Sequence, residues 1–175
     1  MLEERLSLVA ELAIALAGFA SIVAIIGRRQ GRDSTAIDAI RLQWMLGLSL
    51  FTTACALLPS VPFHAGLSEN WTWRLCAGVF AVSGGTILVY TVRRLSRVPE
   101  YPLGRAWGFS EPNSIAWLTI SYGLMGSAVI LLLMAAVGWL PKPEVAYLWG
   151  LYAYLSVAAL LFFRLVQSLL TGKNE

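Results

Sequence analysis

The sequence predicts an all-α integral membrane protein, a helical bundle of about five transmembrane helices with its N-terminus outside and its C-terminus in the cytoplasm. Three observations predict this. The composition is too apolar for a protein bathed in water, the apolar residues come in blocks long enough to cross a bilayer, and the arginines concentrate between alternate blocks.

Of the 175 residues, 58% are hydrophobic and only 13% are charged, and the mean hydropathy is +0.69. A soluble domain carries about 25% charged residues to keep its surface wet. A run of ~18 or more apolar residues spans a hydrocarbon core of ~30 Å. Lipid offers no water to the backbone, so such runs are helices unless they alternate as barrel strands do. These blocks do not alternate. The length fits a single domain, 1–175, lying in the membrane.

The five blocks are 6–26, 37–58, 73–92, 115–140 and 145–170. The first is too long for the apolar region of a secretory signal, and it starts with Glu3 and Glu4 where a signal needs basic residues, so it is read as a retained span. Ser34 and Thr35 precede the second, and Thr35-x-x-Asp38 has the spacing of a capping box. Pro59-Ser60-Val61-Pro62 closes it as an outer turn. The third runs from Trp73 to a cluster of arginines, and Pro112-Asn113-Ser114 opens the fourth. The last two are divided only by Pro141-Lys142-Pro143-Glu144, a tight hairpin in the interface if both blocks are full spans. The longest connection, 93–114, combines arginines with Pro99, Tyr101, Pro102, Trp107, Gly108 and Phe109. It reads as a segment packed in the cytoplasmic interface.

Short loops rich in Lys and Arg stay in the cytoplasm. Arg28, Arg29 and Arg32 follow the first block, and Arg93, Arg94, Arg97 and Arg105 follow the third. The opposite side holds Arg5, Arg74 and Lys142, diluted by Glu3, Glu4, Glu69 and Glu144. The arginine-rich side would anchor to anionic lipid or hold a protein partner. Indole rings favour the headgroup level. Trp44 and Trp117 fall near cytoplasmic block ends, and Trp71, Trp73, Trp139 and Trp149 near outer ones. The net charge of +3 is then explained by lipid anchoring, with no nucleic acid.

Charge inside a span is costly, so it marks places where protein or water must face it. Glu11 lies inside the first block, followed at i+4 and i+7 by Ala15 and Gly18. Arg74 opens a similar stripe on the third, with Ala77, Ala81 and Gly85. Small residues let helices approach closely, so these two faces are expected to pack together with Glu11 paired to Arg74; the alternative is that Arg74 snorkels to the outer headgroups and Glu11 is protonated. At the cytoplasmic end Asp38 and Arg41 are neighbours on the second block, and Arg164 reaches the same level on the fifth. Asp38 is a candidate bridge between the two, or all three simply reach interfacial water. Isolated hydroxyls such as Ser49, Thr52, Thr119 and Ser127 are expected to bond back to their own helices rather than line a pore.

His64 is the sole histidine, which removes histidine-based metal clusters. Cys55 and Cys76 fall at a similar depth and read as buried free thiols, with a pairing as the alternative. There is no phosphate-cradling glycine loop, no Ser/His or Cys/His arrangement and no acid pair suited to proton transfer. Neither an enzyme nor a cofactor site is expected.

Glu11-Leu12 with Ala17-Gly18-Phe19, then Asp38 and Arg41-Leu42, Leu57-Leu58-Pro59, and Trp73-Arg74 together resemble a group of small, uncharacterised bacterial multi-span inner-membrane proteins. The resemblance covers roughly the first half of the chain. It implies a bacterial inner membrane and brings no activity. The sequence therefore points to a non-enzymatic multi-pass membrane protein that self-associates into a homo-oligomer, with a pore or ion pathway between copies. The alternative is an accessory or sensor subunit that uses its arginine-rich cytoplasmic loops.

Overall fold

The computed structural model describes residues 2–29, 36–97 and 114–171, and among them all regular structure is helical. The helices are α1 (Leu2–Arg29), α2 (Ala36–Leu57), α3 (Ser60–His64), α4 (Glu69–Arg97), α5 (Ser114–Val137) and α6 (Pro143–Thr171). Five stretches are long and apolar enough to cross a membrane, the second running from Leu42 in α2 through α3 to His64, as the five blocks predict.

Two boundaries show the local chemistry at work. The fourth apolar block runs on to Leu140, but α5 stops at Val137 because Gly138 adopts φ +86°. The Gly138 N–H donates to the Ala135 carbonyl at 3.1 Å and the Trp139 N–H to that of Met134 at 2.9 Å. This is a Schellman ending, which satisfies carbonyls the last turn would leave bare. α6 then begins with Pro143 in its first turn, where a missing N–H costs nothing. The Lys142 carbonyl accepts from Val145 N–H at 3.2 Å. The Pro141–Pro143 segment is thus a tight connection between two full-length helices.

The turn after α2 contains a short helix that its two prolines concealed. The Ser60 hydroxyl donates to the Leu57 carbonyl at 2.6 Å, and His64 Nδ1 lies 2.7 Å from the Ser60 carbonyl.

The C-terminal helix is the hub. α6 packs on α1, α2, α4 and α5, whereas α1 pairs with α2, and α4 with α5. In its span 56% of the residues are buried, against 28–39% in the others. Its core face carries Tyr147, Leu151, Tyr154 and Val157, all fully buried. Phe51 of α2 meets Tyr154 while Phe63, beyond α2, meets Trp73 beside Tyr147, so α2 runs antiparallel to α6. Trp73 with Tyr147 and Phe80 with Tyr154 make α4 parallel to α6. Gly78 against Ala136 and Gly85 against Val129 make α5 antiparallel to α4. The ends of α4 and α6 therefore share one end of the bundle with the starts of α2 and α5.

One predicted packing is corrected. The Arg74–Ala77–Ala81–Gly85 stripe does mediate a close helix approach, but its partner is α5: a Cβ at Gly78 would sit 3.6 Å from that of Ala136, and one at Gly85 3.6 Å from Val129 Cγ1. α1 and α4 are not major packing partners. Consecutive spans α4 and α5 satisfy the small-residue face first, and α6 with α2 occupies the buried side of α1.

Candidate interaction surfaces and the buried aromatic cluster

Three arrangements of residues stand out, one inside the bundle and two on its flanks. The interior is filled by rings. Phe80 of α4 sits at the centre of the cluster, with its ring centroid 5.4 Å from Phe51, 5.5 Å from Tyr147 and 5.3 Å from Tyr154. Trp73 extends the cluster outward, 5.6 Å from Tyr147 and 5.7 Å from Phe63. The pairs are edge-on or tilted, the geometry that sets a ring edge against a neighbour's electron-rich face. Through these rings α2 touches α4 even though their backbones are not close neighbours.

Proline dictates one polar contact in this cluster. The Cys55 carbonyl would normally accept from the N–H four residues on, but that residue is Pro59, which has none. It accepts instead from the Tyr147 hydroxyl on α6, with a long 3.3 Å bond from Leu58 N–H. Replacing Tyr147 with Phe is expected to destabilise the fold by about 1–3 kcal/mol, the cost of stripping a buried acceptor of its main donor. Reversible unfolding in mixed micelles would measure it, and an unchanged midpoint would refute the assignment.

Most other hydroxyls behave as span interiors demand. Those of Ser21, Thr52, Thr53, Ser83, Thr86 and Thr91 all donate to carbonyls one turn back on their own helices, as expected of hydroxyls that do not line a pore. Ser127 does the same and also accepts from Trp149 Nε1 at 3.4 Å. Ser49 departs from that expectation, because its buried hydroxyl has no hydrogen-bond partner among the described residues. Cys55 and Cys76 are buried free thiols. No group of three His, Cys, Asp or Glu side chains converges on a metal-sized point among the described residues.

On one flank, Glu11 faces outward. Leu6, Val9, Ala10, Ala13 and Ala20 form the buried side of α1, while Glu11, Ala15 and Gly18 are exposed. At about 100° per residue Glu11 lies roughly 150° from the centre of that buried side. Its carboxylate accepts from the Ser7 hydroxyl at 3.2 Å, one turn back on the same exposed face.

Arg74 is on the other flank, half-buried between α4 and the end of α5. Its guanidinium carbon lies 5.9 Å from the Trp71 ring centroid, within reach of a cation–π attraction. The group fills the space a side chain at Gly138 would need. It also sits at the C-terminus of α5, where the helix dipole favours a cation. The expected pairing of Glu11 with Arg74 inside one chain is therefore corrected, because the two residues occupy helices that do not pack on each other.

The cytoplasmic-end cluster is reached only in part. The side chains of Asp38 and Arg41 lie outside the described ones, although α2 and α6 do pack with those ends together. Arg164 is half-buried on α6. Of the arginines read as anchors, Arg93 is exposed near the end of α4. The side chains of Arg28, Arg29, Arg94 and Arg97, and the whole of Arg32 and Arg105, lie outside the described part. No protein-family model, curated protein or solved structure matches the chain.

Proposed function

We propose that this chain is a multi-pass protein of a bacterial inner membrane that works by associating with copies of itself rather than by chemistry within one chain. The observation that carries this is Glu11: an ionisable side chain about 10 Å inside a candidate span, counted from Glu4 at about 1.5 Å per residue, on the face turned away from its own bundle. Bare lipid at that face costs roughly 2.5–3.5 kcal/mol for a charged group near a span's centre. The exposed Ala15 and Gly18 beside it allow another helix to approach closely.

The ring-filled interior adds a constraint. With Phe51, Phe80, Tyr147 and Tyr154 packed between the helices, any conduction path runs between copies and not through one. The arginines of alternate connections favour an orientation with the end shared by α4 and α6 in the cytoplasm.

Native mass spectrometry of the full chain in nanodiscs tests the association, which predicts a discrete oligomer. A strict monomer would refute it and favour an accessory subunit engaging a partner or anionic lipid through its arginine-rich end. For the orientation, a reporter active only in the cytoplasm is expected to work after Glu175 and fail before Met1. The opposite pattern would invert the topology.

A further inference from the structure

We propose that Glu11 of one copy docks beside Arg74 of the next, so that copies join head to tail through the outer face of α1 and the groove between α4 and α5. This rests on the self-association proposed above and adds to it the two surfaces that meet.

The two flanks lie on different sides of the hub. α1 packs on α2 and α6, while α4 and α5 pair with each other on another side of α6. A neighbour held in the same membrane orientation therefore presents its α1 to the free side of the α4–α5 pair. α1 and α4 run in the same direction through the bundle, because each is joined to α6 by way of an antiparallel neighbour or lies parallel to it. The docked helices would then be parallel.

Their depths match. Glu11 comes seven residues after Glu4 and Arg74 five after Glu69, the first residues of their candidate spans. At about 1.5 Å per residue the difference is about 3 Å, well within the reach of an arginine side chain. Below Glu11, the exposed Ala15 and Gly18 follow at i+4 and i+7, so this face of α1 admits the close approach of another helix.

The charges are complementary. Glu11 has only the Ser7 hydroxyl, and Arg74 has the Trp71 ring and fills the space beside Gly138. Neither makes an ion pair among the described residues. In a low-dielectric layer an unpaired carboxylate and an unpaired guanidinium are both costly, and joining them removes both costs at once. A symmetric contact of α1 with α1 would instead press two carboxyl groups together. Because the two surfaces differ, the contact is heterologous and closes into a ring when its rotation permits.

The test uses the full-length chain in nanodiscs, read by native mass spectrometry. E11R alone and R74E alone are each expected to lose the oligomer. An equal mixture of E11R copies with R74E copies is expected to regain it, because the two reversed charges then meet each other at one contact and the native Glu11 and Arg74 meet at the next. The double variant E11R/R74E is expected to regain it as well.

Should a reversed charge prevent insertion, E11Q, R74Q and the double variant replace these. Each single change is expected to weaken association roughly three- to twentyfold, and the double variant to be no weaker than either single one. A wild-type monomer would remove both self-association and this contact. A wild-type oligomer that ignores R74E and R74Q while E11R disperses it would leave self-association standing and overturn the Glu11–Arg74 contact in favour of α1 meeting α1. Failure of the mixture to recover while both variants insert and remain helical would overturn it too.

Discussion

Replacing Phe80 with Ala is expected to destabilise the bundle by about 3–5 kcal/mol, the range for deleting a large buried aromatic side chain. The ring has no exposed surface. Its removal dissolves three ring contacts together, with Phe51, Tyr147 and Tyr154, each worth about 0.5–1.5 kcal/mol beyond its buried area. Position on the hub matters as much as size. α2 and α4 communicate chiefly through this cluster, so the cavity would loosen the α1–α2 pair from the α4–α5 pair rather than fray one helix end. Phe80→Leu keeps much of the volume and is expected to cost less than half as much. Unfolding of the purified protein in mixed micelles would measure both, and a loss below about 1 kcal/mol for Phe80→Ala, far under the usual range, would show that the cluster does not hold the helices together.

The spans are legible in the sequence because membrane crossing is read along one dimension. A long block of Leu, Ile, Val and Ala either fits the hydrocarbon thickness or does not, and no knowledge of neighbours is needed. Helix pairing is not of that kind. The stripe Arg74, Ala77, Ala81 and Gly85 announces a close approach, but equally small faces on α1, α4 and α5 leave its partner open. In the fold the partner is α5, the next long helix in the chain.

The end of α5 escapes for a different reason. Gly138, Trp139 and Leu140 suit a membrane well enough by composition, and only the positive φ at Gly138 stops the helix before them. Of the interior contacts, the bond from Tyr147 to Cys55 has a usable signal in Pro59, which leaves the carbonyl four residues back without its donor. Phe80 has none. An aromatic residue among apolar ones carries no mark that distinguishes the centre of a core from a lipid-facing position.

Gly84 and Tyr154 give the second large effect, and most of it is relieved in the double variant. A Cβ at Gly84 would collide with the Tyr154 hydroxyl and stand 3.0 Å from the ring carbon that bears it. Tyr154 cannot swing aside, because its fully buried ring is held between Phe51 and Phe80. Gly84→Ala is therefore expected to destabilise by about 1–3 kcal/mol through overpacking, although alanine is the better helix former. The hydroxyl itself has no hydrogen-bond partner among the described residues. Removing a buried polar group that satisfies nothing leaves no orphan behind, so Tyr154→Phe alone is expected to be neutral or mildly stabilising. It also clears the oxygen that the alanine methyl would strike. Combined, Gly84→Ala and Tyr154→Phe are expected to recover more than half of the loss, a coupling of about 1 kcal/mol or more between residues in direct contact. Strict additivity in the unfolding free energies would mean that the hydroxyl does not press on Gly84, and that α4 and α6 approach each other for some other reason.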